Sequence, residues 1–339
     1  MPLLDRLARP LGSLRISVTD RCNLRCQYCM PEEEYVWLPR QDILQFEEIV
    51  RLVGVFTRLG VHRVRITGGE PLLRRDVTGL IRQLTASARI EDLALTTNGV
   101  LLGELAAPLR DAGLHRITVS LDTLRADRFQ ALTRFNELPR VLAGIDAARA
   151  CFEHVKIDSV IVRGTNDDEV VPLLDYGRAV GAEVRFTEYM DVGGATQWSP
   201  ERVFSRTDIL QAVEASRGAV TPILDGSWAP ADRFVLPDGT TFGIISSTTA
   251  PFCRTCDRSR LTADGLWFRC LYAREGTDLR ALLRSGASDE VIADVIATAW
   301  SLREDRGAEL RAAERERTPF IPVSRLRRDP HLEMHTRGG

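Results

Sequence analysis

Six of the seven cysteines fall into two groups. Cys22, Cys26 and Cys29 lie within CNLRCQYCM, and Cys253, Cys256 and Cys270 within PFCRTCDRSRLTADGLWFRCL. An odd total in two tight groups does not make a disulfide framework. Thiols so spaced suit metal binding or redox chemistry in a reduced compartment. A closed zinc site wants four ligands, and neither group has an obvious fourth Cys or His beside it. Three thiolates suit a four-iron cluster with one iron open to a ligand that is not protein. Structural zinc stays the alternative for each group, and two incomplete triads in one chain favour two clusters. Arg258 and Arg260 in the second motif share one side of an extended strand. Their guanidinium groups suit phosphate oxygens. In Gly68-Gly69-Glu70-Pro71, the two glycines allow close backbone approach to a ligand, and Glu70 can accept a bond from an ammonium. Cys151 sits in an apolar helical segment and reads as a buried structural thiol.

The elements that position these residues follow one pattern up to about residue 190. Short β-rich runs (14–20, 62–70, 93–99, 115–122, 154–162 and 183–190) alternate with helical stretches such as 46–60 and 138–151. Alternation of this kind predicts a parallel sheet. Six units fall short of a closed eight-stranded barrel, so an open or partial barrel is expected, with its site at the C-terminal ends of the strands. After residue 192 the pattern changes. Residues 193–200 read as a loop, 234–246 as a hairpin about Asp238-Gly239, and 277–285 and 288–304 as helices. A polar, arginine-rich tail ends in Gly338-Gly339.

Composition narrows the class. The 339 residues are 44% hydrophobic, which supports a large core and excludes disorder as the main state. A net charge of -2 offers no global basic field for nucleic acid or anionic lipid. No run reaches the roughly 18 apolar residues of a membrane span, and the N-terminus has no signal-peptide core. A cytoplasmic protein is expected. No GxGxxG or Walker A fingerprint is present. Lys156 is the sole lysine against 44 arginines.

CxxxCxxC after the first strand, with an aromatic before the last Cys, resembles the radical S-adenosylmethionine superfamily, as does the GGEP motif. The second motif, FCxxCxRxRLTADGxxxxCL, resembles the GTP 3′,8-cyclase (molybdenum-cofactor biosynthesis protein A) family. LRISVTDRCNLRCQYCMP, RITGGEPLLRRD (65–76), TTNG (96–99) and the terminal Gly-Gly agree with it. The resemblance implies an α/β fold: a partial (β/α)6 TIM-type barrel over residues 1–192, then an irregular C-terminal domain over 193–339 carrying a second iron–sulfur cluster. It implies that Cys22, Cys26 and Cys29 hold one [4Fe–4S] cluster, whose open iron chelates S-adenosylmethionine. Cys253, Cys256 and Cys270 would hold another facing the guanine of GTP. Tyr28, Gly69, Ser120 and Met190 match the family's S-adenosylmethionine contacts. Arg15, Arg65, Thr96, Lys156, Arg258, Ser259 and Arg260 match its GTP contacts. Gly338 and Gly339 would thread into the catalytic site.

The implied reaction is the first step of molybdenum cofactor (molybdopterin) biosynthesis. A 5′-deoxyadenosyl radical removes hydrogen from ribose C3′ of GTP, C3′ attacks C8, and 3′,8-cyclo-7,8-dihydro-GTP results. The implied partners are GTP, an electron donor such as flavodoxin or ferredoxin, and a downstream cyclic pyranopterin monophosphate synthase. A monomer or homodimer is expected. Rival readings are a peptide-modifying radical enzyme, which tends to carry more C-terminal cysteines, and a non-catalytic zinc protein. Two departures from the family pattern stand out. Asp257 replaces the usual Asn, where it would weaken anion binding or pair with Arg258. Arg337 precedes Gly-Gly, where an aliphatic is common.

Overall fold

The computed structural model describes residues 3–87, 89–224 and 229–338. Among these, twelve strands join one sheet: β1 (Ser13–Ser17), β2 (Arg63–Thr67), β3 (Asp92–Thr97), β4 (Arg116–Ser120), β5 (Val155–Ile161), β6 (Glu183–Glu188), β7 (Thr221–Ile223), β8 (Asp232–Val235), β9 (Thr241–Ile245), β10 (Arg258–Leu261), β11 (Leu266–Phe268) and β12 (Thr277–Asp278). Each of the six predicted runs forms one of the strands β1 to β6, and these pair in parallel in chain order. The helices between them bury one apolar stripe each. The helix Phe46–Arg58 turns Ile49, Leu52, Val53, Val55 and Phe56 inward and opens with a reciprocal Gln45–Glu48 capping box.

Residues after 192 contribute more sheet than the sequence suggests. β9 adds to β6 and β10 adds to β1, both in parallel, so eight parallel strands run side by side. β8 and β7 continue antiparallel beyond β9, and β11 and β12 beyond β10. The sheet stays open between β12 and β7, as a partial barrel requires. The added strands are two to five residues long, and periodicity does not reveal which sheet a short strand joins. The hairpin about Asp238-Gly239 forms as expected, with Gly239 at φ +85°.

Glu188, at the end of β6, ties the later residues to the barrel. Its carboxylate is fully buried and accepts bonds from the backbone of Arg206 (2.7 Å), Thr248 (2.9 Å) and Thr249 (2.8 Å), and from the Thr249 hydroxyl (2.5 Å). The tail is folded. Short helical turns at Val323–Leu326, Pro330–Leu332 and Met334–Arg337 bring it back over the open end of β2. Gly338 has φ +70°, and a Cβ there would lie 2.3 Å from the Thr67 methyl, so only glycine fits. Gly339 lies outside the described residues. Cys151 is half-buried against the core rather than fully buried, because its helix ends there at the rim. No helix among the described residues is long and apolar enough to cross a membrane.

Replacing Glu188 by Ala strands three backbone donors, one of them buried and two partly so, at a cost of about 2 kcal/mol or more. The thermal midpoint of anaerobically prepared protein should fall clearly, with Glu188→Gln intermediate. An unchanged midpoint would contradict this role.

Candidate active site

The first thiol triad sits in the loop after β1. Its turn is closed by Cys29 and Met30 N–H groups donating to the Cys26 carbonyl (3.0 and 2.7 Å). The Leu24 amide and the Asn98 side chain point at the Cys22 sulfur (3.5 and 3.9 Å). Burial, and then repulsion among the three, holds Cys26 and Cys29 far above the ordinary thiol range, and burial pushes Cys22 to about 11. Thiolates in such a place need a cationic partner. Among the described residues no three Cys, His, Asp or Glu side chains converge on a single ion. In a four-iron cluster each thiolate takes its own iron, so the thiols need only share a space.

Around that loop, Tyr28 donates to Asp122 (2.8 Å), which also accepts the Val160 amide (2.8 Å). Ser120, Asp122, Asn98, Cys26 and Tyr28 line one small cavity. Gly69 packs its backbone on the cysteine loop. Its amide donates to Thr19 (2.9 Å), and a Cβ would stand 2.3 Å from the Arg21 carbonyl oxygen. Glu70 differs from the ammonium acceptor read from sequence. It is fully buried and its carboxylate is taken by Leu72 N–H (3.0 Å), Thr97 hydroxyl (2.8 Å) and Asn98 N–H (2.7 Å). Its role is to join the loops after β2 and β3.

The second triad lines a cavity of about 60 Å³ together with Met190, Arg258, Arg260 and Tyr272. Burial raises the Cys256 thiol, yet Arg258 and Arg303 outweigh it and bring it to about 7. Met190, two residues past the end of β6, is among the residues lining this cavity.

Between the triads and the lower end of the barrel lies a cavity of about 170 Å³ lined by Arg15, Arg65, Thr96, Lys156 and Arg258. Arg65 donates to Thr96 (3.0 Å) and Thr118 (3.1 Å). Register sets Arg260, Arg15 and Arg65 directly beside one another on β10, β1 and β2. Burial lowers all three, and repulsion adds to it: from Arg260 and Arg65 at Arg15, which falls strongly, from Arg185 and Arg116 at Arg65, which falls to about 10, and from Arg258 at Arg260, which falls to about 9. A polyanion relieves such a cluster. Ser259, one residue out of phase, is buried on the opposite face and lines neither cavity. Lys156 pairs with Glu183 (2.7 Å) at the lower rim.

Three further cations line the same space: Arg63, Arg116 and Arg185. Arg185 pairs with Asp158 through two bonds (2.7 and 2.9 Å). The two-residue spacing of Arg63 and Arg65 is the signal already used for Arg258 and Arg260, hidden here by the abundance of arginine. Asp257 does not pair with Arg258; it pairs with Arg63, while Arg258 lies 4.5 Å above the Phe252 ring.

The tail closes the upper side. The Gly338 carbonyl accepts from Arg260 (2.5 Å) and Arg15 (3.2 Å). Arg337 is buried over the Phe268 ring at 4.1 Å and donates to the carbonyls of His331 (2.6 Å) and Leu271 (2.7 Å). Its planar head anchors the tail where an aliphatic would only pack. His331 bridges Asp264 (2.7 Å) and Asp329 (2.9 Å), and Arg280 also approaches Asp264.

An open α/β barrel with a three-thiol loop after its first strand defines a radical S-adenosylmethionine protein. The family model described as Radical SAM superfamily matches residues 16–177, and Molybdenum Cofactor Synthesis C matches 182–309. The fold is similar to that of Streptococcus suis SuiB crystallised with S-adenosylmethionine, at 16% identity and a TM-score of 0.57 over 85% of this chain and 68% of that one. The chain is 55% identical to GTP 3′,8-cyclase 1 of Mycobacterium tuberculosis, over 99% of this chain and 95% of the relative. It is 47% identical to GTP 3′,8-cyclase of Acidothermus cellulolyticus, over 92% and 90%. The chain belongs to the GTP 3′,8-cyclase family.

The His331 contacts predict a pH dependence. Burial lowers its pKa, but the two carboxylates raise it further, so the folded value lies above the ordinary 6.5. The clamp is complete below about 6.5 and weakens as pH rises through the folded value. Hydrogen exchange over residues 331–338, corrected for its intrinsic base catalysis, should quicken across that window, and in His331→Ala it should be fast throughout. Exchange in the wild type that ignores pH would refute the clamp.

Proposed function

We propose that this chain catalyses the conversion of GTP to 3′,8-cyclo-7,8-dihydro-GTP. The observation that carries the reading is a cation-lined cavity that shares Arg258 with the cavity of a second thiol triad, with the Gly338 carbonyl held by Arg260 and Arg15 above it. Superfamily membership brings an iron–sulfur cluster and S-adenosylmethionine. In the proposal Cys22, Cys26 and Cys29 hold that cluster, and Tyr28, Gly69, Ser120 and Met190 surround S-adenosylmethionine. A second [4Fe–4S] cluster on Cys253, Cys256 and Cys270 is part of the same proposal. When bound, the cofactors supply the radical that takes hydrogen from ribose C3′.

This chain's own residues bind and orient. Arg15, Arg65, Lys156, Arg258 and Arg260, with Arg63, Arg116 and Arg185, offset the triphosphate charge and stretch the nucleotide between cavity and triad. Thr96 holds Arg65 in place. Ser259 enters through its backbone, since its side chain faces away. Holding C3′ beside C8 converts the ring closure into a positioned intramolecular step. The tail, Gly338 and Gly339 included, excludes water and oxygen from the radical. The division at residues 192 and 193, a cytoplasmic setting, a flavodoxin or ferredoxin as electron donor, a downstream cyclic pyranopterin monophosphate synthase, and a monomeric or homodimeric state complete the proposal.

Anaerobic incubation with GTP, S-adenosylmethionine and a reductant should release 5′-deoxyadenosine together with the cyclised nucleotide, and the protein should carry about eight irons. No 5′-deoxyadenosine would overturn the function, and colourless zinc protein would restore the interaction-module reading. Deleting Gly338-Gly339 should leave both clusters intact and abolish cyclisation. Full turnover by the truncated chain would remove the tail from the mechanism.

A further inference from the structure

Behind the second thiol triad lies a charged assembly that the reaction as derived above does not use. Asp5, Arg9 and Arg303 are buried to within a few per cent of completely. Asp5 accepts from Arg9 Nε (2.6 Å) and Arg303 Nη1 (3.2 Å), and from the amides of Leu7 and Arg9 (both 2.9 Å). Both arginines then reach the cysteine loop. Arg9 Nη1 donates to the Cys253 carbonyl (2.8 Å), and Arg303 Nη1 donates to the Cys256 carbonyl (2.8 Å). Arg303 Nη2 points at the Cys256 sulfur (3.7 Å). The Trp300 ring stacks under Arg303 at 4.4 Å, and its indole N–H donates to the Arg9 carbonyl (3.2 Å).

The fully buried charges do not cancel: two guanidinium groups share one fully buried carboxylate, and the second acid paired with them, Asp305, is only half-buried. Arg9 Nη2 is buried with no hydrogen-bond partner among the described residues. The half-buried Asp305 lies at the edge, with its carboxylate 3.8 Å from Arg303 Nε. A buried charge left in excess is expensive unless an anion sits beside it. A four-iron core of the usual two-plus charge on three thiolates carries one net negative charge, and a second once reduced. That anion is the complement that the Asp5–Arg9–Arg303 assembly lacks.

We propose that Asp5, Arg9 and Arg303 form a cationic seat that raises the reduction potential of the second cluster, with Arg303 as the positioning residue that also donates to the Cys256 sulfur. The inference rests on the two-cluster reading. One-electron reduction adds negative charge to the cluster, and a fixed positive charge at hydrogen-bond distance from its ligand loop favours that state. Hydrogen bonds to cluster sulfurs act in the same direction.

The test is an anaerobic redox titration of holoprotein, followed by electron paramagnetic resonance, for wild type, Arg303→Gln and Asp305→Asn. It is repeated with Cys22, Cys26 and Cys29 replaced by Ala, so that the second cluster alone reports. Arg303→Gln removes a positive charge and should shift the second cluster to a more negative potential. Asp305→Asn removes a peripheral negative charge and should shift it to a more positive one. The first cluster should stay unmoved in both. Opposite shifts support the seat, whereas a merely structural disturbance moves both variants alike or neither. Unchanged potentials with intact clusters, or shifts of one sign, overturn it. If Arg303→Gln fails to fold, Asp305→Asn decides alone, and no positive shift overturns the proposal. Wild-type protein with about four irons and no second signal would instead refute the two-cluster reading, before any variant is compared.

Discussion

Arg260, Arg15 and Arg65 stand side by side on three neighbouring parallel strands and project into one interior. Adjacent strands are only about 5 Å apart, so the three charges repel across a space from which water is largely excluded. Burial is the first cause of their lowered pKa values, and repulsion from neighbouring guanidinium groups adds to it. Much of the surrounding structure relieves it. Thr96 and Thr118 accept from Arg65, and the Gly338 carbonyl accepts from Arg15 and Arg260. Asp158 neutralises Arg185, Glu183 neutralises Lys156, and Asp257 neutralises Arg63. What these neutral acceptors and rim carboxylates leave is an excess of positive charge, which the proposed nucleoside triphosphate would offset.

That arrangement explains why the chain after residue 192 is built into the barrel rather than hung from it. β10 brings Arg258 and Arg260 into register with β1, and the same strand follows directly on Cys253 and Cys256. The guanidinium groups of Arg258 and Arg260 and two of the three thiols of the second triad are thus held by one short stretch of backbone. Glu188 performs the matching task on the other flank, fastening residues 248–249 to the end of β6 beside Met190. Rigid strands carry the charges, and loops carry the thiols.

The two departures from the family pattern find physical accounts. Asp257 pairs with Arg63 on the wall of the cavity, so it offsets a cation there. Arg337 lies flat on Phe268 and spends its donors on two carbonyls, which locks the turn that delivers Gly338. Glu70 runs the other way. A residue with an obvious ligand-binding interpretation is a buried loop tie, because three donors of the chain reach its carboxylate first.

Local pattern alone was enough for much of this protein. Two thiol triads, six strand–helix units, an Asp-Gly hairpin and the alternation of Arg258 with Arg260 are all legible, because spacing along one segment dictates which side chains share a face. Tertiary structure decided what spacing does not encode. It set the register that lines up Arg260, Arg15 and Arg65, and it brought Arg63, Arg116 and Arg185 into the same cavity. It turned Ser259 away, and it carried a tail 323 residues from Arg15 onto that side chain and onto Thr67. The reason is that strand pairing and chain return are non-local. They are chosen by which buried faces and charges complete one another across the whole sheet, and no single stretch of sequence contains both partners.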